Sequence, residues 1–184
     1  SHKTLLAAAI SLGLMAGCHS NNDSKAPDPM VRFATFNLSF DRTAPGMLSG
    51  ELALDRAAQD VLLARYQEGD TSLGKAEITQ AKNVQQIRNI AEIVQRTRPD
   101  VFLLNEFDND GKGESTTDLK AFNDNYLAHA QHGEVQAISY PVLQNFATNT
   151  GLMSGHDLNL DGKLSSGPDD AWGFGNYHGQ YAFA

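Results

Sequence analysis

The chain has 184 residues, a length that suggests one domain, and it carries 22 acidic against 14 basic side chains for a formal net charge of −8. An acidic surface disfavours non-specific grip on nucleic acid, because that grip comes from Lys and Arg displacing counterions; divalent metal held at a site offsets the repulsion locally. One cysteine excludes an intrachain disulfide, and no P-loop, Ser-His-Asp set or CxxC pair occurs.

Lys3 gives a positive start, Thr4 to Leu14 a short apolar run, and Met15-Ala16-Gly17-Cys18 a small-residue exit. Residues 1–17 therefore have the layout of a secretory signal, too short to span a membrane comfortably. Cys18 stands where bacterial lipoproteins carry the lipidated cysteine that becomes the mature N-terminus; the alternative is a plain signal with an incidental cysteine. Residues 18–29 are polar and read as a flexible tether. The expectation is an exported bacterial protein, lipid-anchored to a membrane and facing the periplasm or the cell exterior.

Val31 to Phe36 mixes β-branched and aromatic residues and reads as a strand with both faces covered. Residues 41–50 contain Pro45, Gly46 and Gly50 and read as loop. Glu51 to Gln67 has a helical pattern in Leu52, Leu54, Ala58, Val61, Leu62 and Ala64, broken at 68–74. Asn83 to Thr97 is a clearer helix, with Val84, Ile87, Ile90, Ala91 and Val94 on one stripe and Gln85, Arg88, Glu92 and Gln95 facing out. Pro99 ends it, and Val101 to Leu104 reads as a short buried strand. Strand, helix, strand predicts a right-handed βαβ crossover. Residues 119–130 suit a helix burying Phe122, Tyr126 and Leu127; Tyr140-Pro141-Val142 reads as extended, and 149–179 as a long Gly-, Asp- and Asn-rich loop. Gly179 to Ala184 looks like the opening of a strand with no stop signal after it. Residues 30–184 are accordingly expected to be part of a domain cut near its C-terminal end, with an incomplete core.

Asn37 and Glu106 follow the two apolar runs. If those runs are parallel strands, both polar groups emerge at one sheet edge, where ligands and catalysis concentrate. A carboxylate beside an amide oxygen suits a hard cation such as Mg2+. Asp157, Asn159, Asp161 and Gly162 copy the first part of an EF-hand loop. Pro168 stands where the bidentate Glu belongs, and Asp169 or Asp170 are the available substitutes. This stretch is either a structural Ca2+ loop or an Asx-rich turn. Asp108 and Asp110 add negative charge near Glu106. His129, His132, His156 and His178 are not at ligand spacing, and Trp172 and Phe174 are expected to pack in the core rather than form a substrate rim.

The string Ala34-Thr35-Phe36-Asn37, the helix, and Arg98-Pro99-Asp100 through Asn105-Glu106 resemble the endonuclease/exonuclease/phosphatase superfamily, the deoxyribonuclease-I-like fold. The segments 149–151, 157–162, 168–175 and 179–181 look like a bacterial exported branch of it. The resemblance covers about Val31 to Ala184 and departs at Asn105, where many members have Gln. It implies the N-terminal part of a four-layer α/β/β/α sandwich and metal-assisted hydrolysis of a phosphate ester in nucleic acid, phospholipid or a small phosphate. Glu106 would hold Mg2+ or Mn2+, and Asn37 would orient the metal shell or a phosphate oxygen. The family's later His–Asp pair and strand-end Asp-x-Asn are not matched, so the fragment alone is expected to be inactive. The rival reading is a non-catalytic calcium-binding lipoprotein; no protein partner is expected.

Overall fold

The computed structural model describes residues 30–108, 113–164, 168–172 and 182–183. The chain divides after Met30, and every element below belongs to the unit Val31–Ala184. Strands β1 (Phe33–Phe40) and β2 (Val101–Phe107) pair in parallel, Phe33 opposite Val101 and Phe36 opposite Leu104. Two short strands, β3 (Gln144–Asn145) and β4 (Ala182–Phe183), join antiparallel in the order β1-β2-β4-β3. The class is α/β, with a mixed four-stranded sheet.

The connection from β1 to β2 runs through α1 (Met47–Leu52), α2 (Arg56–Gln67) and α3 (Lys75–Thr97). Asp55 starts α2 by accepting the Ala58 N–H at 2.8 Å, and Glu77 starts α3 by accepting the Gly74 N–H at 2.9 Å. After β2 come α4 (Thr117–Phe122) and a π-helical turn, Asn123–Leu127. Val84, Ile87, Ala91 and Val94 of α3 form one buried cluster with Leu38, Phe40, Phe102 and Leu104 of the sheet. Phe122 closes the cluster against Phe40 and Phe107, with ring centroids 5.7 and 6.3 Å away.

The Arg98-Pro99-Asp100 string acts as a joint. Arg98 takes φ 48°, a left-handed conformation that ends α3, since the following proline bars it from the right-handed region. The carbonyl of Pro99 accepts the buried Tyr140 hydroxyl at 2.9 Å. Asp100 then fastens the two strand starts: its carboxylate accepts the Arg32 N–H at 2.7 Å, and its own N–H donates to the Arg32 carbonyl at 2.9 Å.

Several expectations need correction. β1 runs on to Phe40, which puts Asn37 inside the strand, and its outer face is not covered: Phe33 is 76% exposed. Loop 41–50 and helix 51–67 become two helices broken at 53–55, and the phase is shifted. Gln59 is buried and Val61 is 62% exposed. Helix α3 begins eight residues before Asn83, and Gln95 faces inward. Its amide donates to the carbonyls of Leu127 and His129 and accepts the Gln131 N–H, tying α3 to the π-helical turn and the residues after it. The extended piece is Gln144–Asn145 rather than Tyr140–Val142, and Trp172 is exposed instead of packed in the core. Phe122, Tyr126 and Leu127 are buried as expected.

Candidate functional site

The alternation of β1 turns Ala34, Phe36, Leu38 and Phe40 toward the helices and Thr35, Asn37 and Ser39 away from them. Asn37 stands opposite Asn105, one position short of Glu106, so the register expected for Asn37 and Glu106 is off by one residue. Asn105 donates its amide to the Thr35 hydroxyl at 2.8 Å across the ladder. Beyond this pair the ladder slips, because Leu38 and Ser39 of β1 fit between the same registered pairs as Glu106 alone.

Both strands reach that irregularity with a left-handed residue, Ser39 at φ 53° and Glu106 at φ 54°. For a non-glycine residue in a strand this costs on the order of 1–3 kcal/mol and persists only where the surroundings enforce it. At Ser39 they do. Its N–H donates to Asn37 Oδ1 at 3.0 Å, and its carbonyl accepts Gln86 Nε2 at 3.0 Å and Arg42 Nη1 at 3.3 Å. Arg42 is itself fixed by Glu51, Nε to Oε2 2.7 Å, with only 5% and 3% of the two side chains exposed. Asn83 donates to the other Glu51 oxygen at 2.6 Å, and the Arg42 guanidinium lies 5.6 Å from the Phe40 ring centre. At Glu106 the left-handed turn resets the alternation, so that Phe107 is buried and Glu106 is left half-buried. Among the described residues, no hydrogen bond or ion pair engages the Glu106 carboxylate.

A cleft of about 520 Å³ opens at the carboxyl end of β2, immediately past Glu106. Its apolar floor is Leu48, Phe107 and Leu119, and its polar walls include Ser49, Asp118 and Asn145. Ser49 donates to Asp118 at 2.6 Å, tying α1 to α4, and the buried Asn145 amide holds the Ser115 carbonyl at 3.0 Å. Sequence reasoning missed this group because Ser49 and Asp118 lie 69 positions apart and neither sits in a motif.

At residues 157–162 the structure shows Asx turns. Asp157 accepts the N–H groups of Asp161 and Gly162 at 3.0 and 2.7 Å, and Asn159 also accepts from Asp161, at 3.1 Å. Asp170, fully buried, accepts the Leu158 N–H at 2.8 Å, whereas Asp169 is exposed. Asp157-Leu158-Asn159 spells Asp-x-Asn but lies in this loop, not at a strand end. Among the described residues no group of three or more His, Cys, Asp or Glu is placed to hold a metal ion. His129, His132 and His156 are exposed. Cys18, the signal and tether, Asp110, Phe174 and His178 lie outside the described residues. Among those described, no helix is long and apolar enough to cross a membrane.

Comparison of the chain with protein-family models, with curated proteins and with solved structures gives no match.

Proposed function

We propose that the full-length protein is a divalent-metal-dependent hydrolase of phosphate esters, phosphodiester or phosphomonoester, of the endonuclease/exonuclease/phosphatase kind. One observation carries this reading. At the carboxyl end of the parallel pair, the two strands hold left-handed residues side by side, and one of these is Glu106, whose carboxylate has no partner among the described residues. Strain of this sort concentrates where a side chain must be aimed. The bare outer face of the sheet, with Phe33 and Val101 exposed, is what a second sheet would cover in a four-layer sandwich.

The donor set suits Mg2+ or Mn2+, which bind through one or two carboxylates and keep several waters. Such an ion, when bound, supplies charge stabilisation on the phosphoryl oxygens and the leaving group. Glu106 would hold it. Asn37 Oδ1 already accepts one hydrogen bond from Ser39, which fixes the amide and leaves its N–H groups directed to a phosphate oxygen or a metal-bound ligand. The 184 residues on their own are proposed to be inactive, since the family's His–Asp pair and strand-end Asp-x-Asn find no match among them. Glu106→Ala in the full-length protein should abolish Mg2+-dependent hydrolysis of a generic aryl phosphodiester; undiminished turnover would remove Glu106 from the site. Cys18 is the proposed lipidation point, so Cys18→Ser should move the protein from the membrane fraction to the soluble one.

A second reading, calcium binding without catalysis, is favoured by the buried Asp170 set against the Asp157–Gly162 loop. Under it, Ca2+ should raise the melting temperature, and Asp157→Ala should remove that rise while no hydrolysis is found in either protein.

A further inference from the structure

We propose that the cleft beside Glu106 takes the organic part of the substrate, and that this part is a neutral, hydroxyl-rich group such as a glycosyl or polyol moiety. The proposal rests on the phosphate-ester hydrolase reading for the position of the phosphorus. Phe107 and Asp108 follow Glu106 directly and form one wall of the cleft, so a phosphate held at Glu106 would stand next to this opening. A volume of about 520 Å³ lies in the ordinary range for small-molecule sites and holds a group of sugar size.

The lining selects the chemistry. The exposed Pro45 at its rim offers an apolar surface for the C–H face of a ring, backed by the buried Leu48, Phe107 and Leu119. Around it stand Ser49, Thr117, Asn145 and two carboxylates, Asp108, which has an interaction of its own, and Asp118; these groups are rich in acceptor lone pairs, and no Lys, Arg or His is among the described lining residues. Among the described residues a second phosphate therefore finds no counter-charge there. Asp118 does not call for a cation either. It sits in the first turn of α4, where the helix end favours a negative charge, and it already accepts the Ser49 hydroxyl at 2.6 Å. What remains on its carboxylate is acceptor capacity for ligand hydroxyls, the strongest neutral-ligand contact the cleft offers.

The test uses full-length protein and methyl α-glucoside as probe, read by saturation-transfer NMR in the absence of metal. Transfer to the glucoside is expected, weakened several-fold in Asp118→Asn and lost in Leu48→Trp, which fills the floor. Equal signals in wild type and in Asp118→Asn, or stronger transfer to ethanolamine or to methyl phosphate than to the glucoside, overturn the proposal. Glu106→Gln separates the two claims. Glucoside binding that survives it, when the wild-type full-length protein has no phosphatase activity either, sinks the hydrolase reading and keeps the cleft. If hydrolysis depends on Glu106 while the preference for a glycosyl phosphate over an aryl phosphodiester is unchanged in Asp118→Asn, the cleft assignment falls and the hydrolase stands.

Discussion

Arg42 and Glu51 are two charges withdrawn almost wholly from water, and each is tolerable only because of the other. Glu51→Ala leaves the guanidinium buried without its partner and should cost about 3–5 kcal/mol. Arg42→Met with Glu51→Leu removes both charges and should cost far less; urea midpoints of the two variants check the order. Because Arg42 also holds the Ser39 carbonyl, the single variant should loosen the irregularity beside Glu106, while the position of Asn105 against Thr35 should not change. Gly113 is constrained for a different reason. It has φ +72°, and a methyl group there would overlap the backbone of Phe146 and Ala147. Gly113→Ala should therefore destabilise by about 1–3 kcal/mol, again read from a urea midpoint. At this scale the sequence marks only what stands at the ends of apolar runs. Asn37 and Glu106 could be picked out because a polar side chain ended each run. Ser39 could not, since its backbone conformation is imposed by Arg42 and Gln86, and nothing in the local string announces a left-handed serine.

Helix α3 shows what periodicity captures and what it leaves out. The stripe Val84, Ile87, Ala91 and Val94 was legible because those residues bury against a sheet, and their spacing records that face. The first two turns, from Lys75 to Lys82, were not legible: Ala81 is their one fully buried residue, and the polar remainder carries no period. Gln95 was assigned to solvent because amide side chains usually go there. Its burial follows from the backbone groups it engages, the carbonyls of Leu127 and His129 and the Gln131 N–H, at and just after a turn whose π-helical geometry no short pattern predicts. Gln95→Leu, an apparently favourable apolar replacement on a buried face, should cost about 1–3 kcal/mol, because the Gln131 N–H loses its acceptor while the Leu127 and His129 carbonyls keep only Ile138 and the Gln131 side chain. A gain in stability on thermal melting would contradict this account of the turn. The bare outer face of β1 and β2 has the same origin. An apolar run states that a residue is able to be buried, and the packing partner decides whether it is.

For the molecule as a whole, alkaline stability should report two buried hydroxyls. Burial pushes the Tyr140 phenol up to about 12, and burial with the nearby Glu51 charge pushes Tyr126 upward as well. The fold thus favours the neutral phenol, and the free tyrosine value is near 10. The associated stability is complete below pH 10 and is lost as pH rises from 10 through about 12. Unfolding free energy from urea titrations at pH 9, 10 and 11 should fall over that window, and less steeply in Tyr140→Phe. The α/β class and the order strand, helix, strand were readable because short apolar runs rich in β-branched and aromatic residues flank a stretch with the 3.6-residue period. The antiparallel pairing of β3 and β4 was not, since two-residue strands carry no period. The parallel ladder also dictates an order of assembly. Phe33 and Val101, its first partners, stand 68 positions apart, and a loop of that length is entropically costly to close before contacts reward it. Each helix between them is built on local backbone hydrogen bonds and is expected to form first. The sheet edge holding Asn37 and Glu106 is therefore late to form, and a chain emerging from the ribosome has no such edge until β2 has followed α3 out of the tunnel.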